Sequence, residues 1–186
     1  MATGQKLGAP TKQAENHQAN LIEALWYPRA DSVNGPLADA FTCLRETDFE
    51  RRTHFIAGRF ENLYVQKTRL PGIEAVLKFA RSQAARLLEI APGSLRCGFW
   101  LNAMEPAQST SRHSHDENNE LLSGVYYVTA PRDSGDVVFH DDGSKTRICP
   151  LAGLMLLFPP DLPHSVEPNM SDDLRLSIAF NIGPVA

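Results

Sequence analysis

Three of the six histidines stand in a pattern that could hold a metal. His113 and His115 flank Ser114, and His164 follows the proline-rich turn Pro159-Pro160-Asp161-Leu162-Pro163. In a strand, residues i and i+2 point to the same face, so the two imidazoles of the first piece would converge on one point. A pair from one strand and a third ligand from a distant strand form a facial triad. Such a triad leaves the opposite coordination positions open to O₂ and a substrate. Nitrogen and oxygen donors without thiolate suit Fe(II), and would also accept Mn, Co, Ni or Zn. Two registers satisfy the spacing, because Asp116 and Glu117 follow directly. Either His113, His115 and His164 bind the metal, or His115, Glu117 and His164 do. The plainer alternative is three ordinary histidines that share no ligand.

A second piece lies further on, in Arg175-Leu176-Ser177. By strand alternation Arg175 and Ser177 face the same way. If that side is the interior, the buried guanidinium needs an anion, since an unpaired charge there would cost several kcal/mol. Its planar fork suits a carboxylate in two-point contact, with the Ser177 hydroxyl adding one more bond. Taken alone, Arg175 reads first as a surface cation or one half of an internal salt bridge; beside the HxH…H spacing the anion-binding reading comes first.

The elements that must position these residues change character along the chain. Met1 to Asn20 has no apolar period and reads as a mobile arm. Leu21 to Tyr27 is β-capable, and Asn34-Gly35-Pro36 reads as a helix start. Ile73, Val76, Leu77, Ala80, Ala84, Leu87 and Leu88 share one face of a second helix, opened by Pro71-Gly72 and stopped by Ala91-Pro92-Gly93. From Leu95 short strands follow: Arg96 to Met104, Arg112 to His115, Leu122 to Thr129, Asp136 to His140, Leu154 to Phe158, Ser165 to Glu167 and Arg175 to Ile182. Many short strands with turn residues between them predict a mainly β fold, a barrel or sandwich of jelly-roll type with helices packed outside the β core. The expected organisation is an arm over 1–20 and one domain over 21–186, with helical support about 21–93 and a barrel core about 95–183.

Composition sets the outer bounds. The chain has 186 residues, 18 Lys and Arg against 22 Asp and Glu, and a formal net charge of −4. That balance is unlike a domain built to neutralise a phosphate backbone, so no nucleic-acid partner is expected. Cys43, Cys97 and Cys149 form no CxxC, which speaks against a disulfide framework and suits a reducing compartment. With no secretory h-region and no apolar stretch of membrane length, a cytoplasmic protein with no membrane partner is expected.

With these pieces in order, the chain resembles a family. Trp100-Leu101-Asn102, His113-Ser114-His115, Ser123-Gly124-Val125-Tyr126-Tyr127-Val128, Phe158-Pro159, His164-Ser165-Val166-Glu167-Pro168-Asn169 and Arg175-Leu176-Ser177-Ile178-Ala179-Phe180-Asn181 are similar to segments of the 2-oxoglutarate- and Fe(II)-dependent oxygenases related to prolyl hydroxylases. The resemblance covers about residues 95 to 183. It implies a double-stranded β-helix with Fe(II) at the mouth of the barrel, 2-oxoglutarate as co-substrate and O₂ as oxidant. It further implies His164 as the distal ligand and Arg175 as the clamp on the C5 carboxylate, with Ser177 beside it. Tyr127 aligns with a strand tyrosine that reaches the co-substrate, or is a core aromatic. Asn102 and Asn181 would line the pocket, or cap strand ends. His17, His54 and His140 read as surface or structural.

The activity so implied is oxidative decarboxylation of 2-oxoglutarate to succinate and CO₂, coupled to hydroxylation of a small-molecule or amino-acid-type substrate. A homodimer formed through the helices is raised by the same resemblance. Two other readings fit parts of the pattern. A cupin-type dioxygenase or isomerase would use His113, His115, Glu120 and His164 without 2-oxoglutarate. A non-catalytic β-helix module would bind a metal or a small acid only.

Overall fold

The computed structural model describes residues 22–115 and 119–185. Eleven strands and two α-helices alternate as β1 (Glu23–Trp26), α1 (Ala30–Thr42), β2 (Phe49–Ile56), β3 (Arg59–Val65), α2 (Ile73–Leu87), β4 (Leu95–Met104), β5 (Thr110–His113), β6 (Leu122–Thr129), β7 (Val137–Asp141), β8 (Ser144–Ile148), β9 (Leu154–Phe158), β10 (His164–Val166) and β11 (Arg175–Pro184). They form a seven-stranded sheet, β1-β9-β6-β11-β4-β3-β2, and a four-stranded sheet, β5-β10-β7-β8. This is the jelly roll expected from the strand spacing.

Alternation divides the major sheet cleanly. Leu176, Ile178, Phe180 and Ile182 of β11 join Tyr126 and Val128 of β6 and Met155 and Leu157 of β9 in one core with the helices. From α2 that core takes Ile73, Val76, Leu77, Ala80, Ala84 and Ala85. The intervening residues face the other sheet. Tyr127, Leu154, Leu156 and Phe158 meet Val137 and Phe139 of β7 in a second, smaller core. The helices therefore clamp one face of the major sheet and leave the other to the barrel interior, where Arg175, Ser177, Ala179 and Asn181 point.

Several elements differ from the sequence expectation. β1 falls in the β-capable Leu21–Tyr27 as expected, but the segment read as helical support also supplies β2 and β3, both in the major sheet. β2 and β3 escape periodicity analysis: β2 is the edge strand and carries the exposed Glu50 and Arg51, and β3 beside it places Arg59 and Glu61 where a sheet face would carry apolar side chains. β8, Ser-Lys-Thr-Arg-Ile, is almost wholly exposed and shows no apolar alternation. Helix α1 starts at Ala30, ahead of the expected Asn34-Gly35-Pro36 start. Pro36 lies inside it, where its missing N–H leaves the Ser32 carbonyl without a helical donor. Among the described residues, no helix is long and apolar enough to cross a membrane.

Candidate active site

β5 and β10 are antiparallel neighbours, and His164 lies opposite His113 in their ladder. His115 falls just past the end of β5, and its backbone N–H donates to the Pro160 carbonyl at 2.7 Å. That bond ties the segment after β5 to the proline-rich turn before His164, so the three rings meet although only two lie in strands. Ring centroids are separated by 4.8 Å for His113–His115, 4.4 Å for His113–His164 and 5.2 Å for His115–His164. The three potential ligand nitrogens all lie within 4.8 Å of one another, and among the described residues they are the group suited to a metal.

The outer partners of two rings set which nitrogen is presented. His113 Nδ1 donates to the Ser111 carbonyl at 2.8 Å, and His164 Nδ1 donates to the Leu162 carbonyl at 3.0 Å. A carbonyl can only accept, so Nδ1 carries the proton in both, and Nε2 keeps its lone pair for a metal. His164 is buried against Phe158 and Phe139, with ring centroids at 4.8 and 5.8 Å. Burial foremost, then the neighbouring His113, pushes its pKa down to about 3. It is thus held neutral, the form that binds metal.

A cavity of about 460 Å³ opens beside this cluster. Arg175, Ser177, Tyr127, Asn102 and Asn181 all line it with the three histidines, so the structure gathers every described site residue expected from sequence into one space. Glu117, the alternative ligand, lies outside the described residues. Arg175 is buried, and its Nη1 donates to the carbonyls of Ser134 at 3.2 Å and Gly135 at 2.5 Å. No carboxylate among the described residues pairs with it. Its Nε, the Tyr127 hydroxyl and Asn102 Oδ1 are buried without a hydrogen-bond partner. These three orphans are neighbours: Ser177 pairs with both Asn102 and Tyr127 across the sheet, and the Arg175 guanidinium lies 5.1 Å from the Tyr127 ring centroid. Burial pushes the Tyr127 phenol up, against the pull of Arg175, so it stays a neutral donor. Asn181 Oδ1 accepts from Ser123 Oγ at 2.8 Å.

Unpaired buried polar groups each cost about 1–3 kcal/mol. Arg175 Nε and the Tyr127 hydroxyl are donors and together mark a place for an anion, whereas Asn102 Oδ1 can only accept and needs a donor. Three converging imidazoles and a buried anion site in one cavity fit Fe(II) and 2-oxoglutarate. The sequence did not show the wall made by β3 and the end of β2. His54, read there as surface or structural, is exposed yet lines the cavity with Asn62 and Tyr64. Trp100, noted only as part of a resemblance, packs its ring 5.5 Å from His115 and 6.3 Å from Tyr64. Glu120, the fourth cupin-type ligand, is outside the histidine cluster and lies 3.8 Å from Arg96.

Fold and site together define a double-stranded β-helix with a metal-competent histidine cluster and an adjoining anion pocket. Residues 98–149 and 142–181 match the model of the family described as "Putative 2OG-Fe(II) oxygenase". Over these residues the chain is similar to the 2-oxoglutarate- and Fe(II)-dependent oxygenases. Solved structures agree in fold. A Pseudomonas putida prolyl-4-hydroxylase is 17% identical with TM-score 0.64, covering 89% of this chain and 88% of that one. The non-haem α-ketoglutarate-dependent carbocyclase SnoK from nogalamycin biosynthesis is 17% identical with TM-score 0.66, covering 94% and 87%. EvdO2 from Micromonospora carbonacea var. aurantiaca, complexed with 2-oxoglutarate, is 14% identical with TM-score 0.58, covering 98% and 96%. No curated protein matches the chain in sequence.

Proposed function

We propose that this protein is a dioxygenase that couples decarboxylation of 2-oxoglutarate to hydroxylation of a small molecule. In this reading His113, His115 and His164 hold Fe(II), and Arg175, Tyr127 and Ser177 hold the distal carboxylate of 2-oxoglutarate. The observation that carries it is the buried Arg175, whose Nε has no partner, in the same cavity as three converging histidines. Bound iron would supply the O₂ chemistry that turns 2-oxoglutarate into succinate and CO₂ while one oxygen atom enters a substrate C–H bond.

The chain's own residues supply position and dryness. The Nδ1–H bonds of His113 and His164 fix which ring nitrogen faces the metal. The Ser134 and Gly135 carbonyls orient the Arg175 fork and leave Nε free to donate to a carboxylate. The Tyr127 phenol, kept protonated by burial, donates to the same anion. Phe158 and Val137 exclude water from the inner wall. The outer wall, with His54, Asn62 and Tyr64, would meet the hydroxylated substrate, here taken as a small molecule or amino-acid-type compound.

Anaerobic reconstitution with Fe(II), followed by exposure to O₂ and 2-oxoglutarate, tests the reading by succinate release. Succinate is expected even without the prime substrate, at an uncoupled rate. Metal binding without 2-oxoglutarate binding would overturn it in favour of a cupin-type or purely binding role.

A further inference from the structure

A second guanidinium lies near Arg175, and none of the roles above uses it. Arg59 of β3 has a side chain only 10% exposed and reaches three other segments. Its Nη1 donates to the Ala103 carbonyl at 3.2 Å, and its Nη2 to the Ser109 carbonyl at 2.9 Å and the Thr110 hydroxyl at 3.1 Å. The same Nη2 stands 3.4 Å from Glu61 Oε1. Glu61 is 6% exposed and lines the cavity, the one carboxylate among its described lining residues.

The pair sits at the Arg175 end of that cavity. Ala103, which accepts from Arg59, precedes Met104, and Met104 pairs with Arg175 between β4 and β11. Burial foremost lowers the Arg59 pKa, Glu61 raises it, and the charge of Arg175 lowers it again, so the two guanidiniums sense each other. Arg59 and Arg175 are each held by two backbone carbonyls, but Arg175 keeps Nε free. A buried carboxylate released from Arg59 would turn to that free donor or repel any anion bound there, since charges interact strongly away from water.

We propose that Arg59 is a positioning residue for the anion site: by holding Glu61, it keeps a fixed negative charge from competing for Arg175 and from repelling the carboxylate that Arg175 clamps. The proposal rests on the reading of Arg175 as the 2-oxoglutarate clamp.

The test uses the full chain loaded with Mn(II), with two titrations, Mn(II) alone and then 2-oxoglutarate. Arg59→Met should weaken 2-oxoglutarate binding about tenfold or more and leave Mn(II) affinity within about threefold. Glu61→Gln alone should tighten 2-oxoglutarate binding, because it leaves Arg59 as an added positive charge. Combining Arg59→Met with Glu61→Gln should return 2-oxoglutarate affinity to within about threefold of the unaltered protein. A double variant as weak as Arg59→Met would overturn the proposal, because the defect would then be structural. Should Arg59→Met fail to fold, Glu61→Gln decides alone: unchanged or weaker 2-oxoglutarate binding overturns it. If the unaltered protein binds Mn(II) but not 2-oxoglutarate, the co-substrate reading falls before any variant is made, and this inference falls with it.

Discussion

His164 on β10 stands across the antiparallel ladder from His113 on β5, their rings 4.4 Å apart. Both hand their Nδ1 proton to a carbonyl two residues back, Leu162 and Ser111, so both offer Nε2 to the same point. Neighbouring strands of one small sheet therefore present two imidazoles in matched tautomers. The third imidazole, His115, depends on the Pro160 carbonyl that holds its backbone.

Metal affinity separates the proposed ligand set of His113, His115 and His164 from the register that uses Glu117. If His113 is a ligand, His113→Gln should lower Co(II) affinity at least about a hundredfold, and Glu117→Gln should leave it within about threefold. Titration followed by the visible Co(II) spectrum measures both. The reverse order of effects would assign the metal to His115, Glu117 and His164.

Arg175 separates stability from ligand binding. Its buried charge has no carboxylate partner among the described residues, so Arg175→Met removes a desolvated cation at the loss of two hydrogen bonds to carbonyls. The ligand-free variant should melt at or above the temperature of the unaltered protein. Added 2-oxoglutarate should raise the melting temperature of the metal-loaded unaltered protein and leave the variant's unmoved. A variant that still responds to 2-oxoglutarate would remove Arg175 from the anion site.

Much of this was legible in the sequence where a strand has one dry face and one functional face. β11 is the clearest case: Leu176, Ile178, Phe180 and Ile182 alternate with Arg175, Ser177, Ala179 and Asn181, and the structure puts the first set under the helices and the second in the cavity. β6 and β9 have the bounds their apolar runs predicted. The cavity wall at β2 and β3 was not legible, because strands half in water carry no period-2 apolar signal. Nor was the burial of Glu61 and Arg59, since i and i+2 charges of opposite sign read as a solvated pair on an outer face. What buries them is the turn from β4 into β5, a contact of long sequence separation.

The buried imidazole predicts how the metal-free protein responds to acid. Folding holds the His164 pKa at about 3, below the ordinary 6.5, so beneath pH 6.5 the unfolded chain binds a proton that the folded one refuses. Stability is then lost as pH falls from 6.5 toward 3, by about 1.4 kcal/mol per unit for one such proton. Urea midpoints of the metal-free protein at pH 7 and pH 5 should show that loss, and His164→Leu should have a shallower slope. Equal slopes would mean the imidazole is not held neutral by burial.

Gly135 joins backbone strain to the anion site. Its φ is +89°, and a Cβ there would stand 2.1 Å from the Glu167 carbonyl oxygen and 2.9 Å from that of Pro168, both backbone atoms with little freedom to give. Its own carbonyl accepts the Arg175 Nη1 proton. Gly135→Ala should therefore destabilise the fold by roughly 2–4 kcal/mol and also weaken 2-oxoglutarate binding, because the carbonyl that orients the fork must move. Gly58 is the control: its φ is +84°, but nothing lies within 4 Å of an added Cβ. Gly58→Ala carries only the conformational penalty, about 1 kcal/mol, and should leave 2-oxoglutarate affinity unchanged. Chemical denaturation and 2-oxoglutarate titration of both variants check the pair. Equal destabilisation would mean the Glu167 backbone yields, and the strained turn would then not be what fixes Arg175.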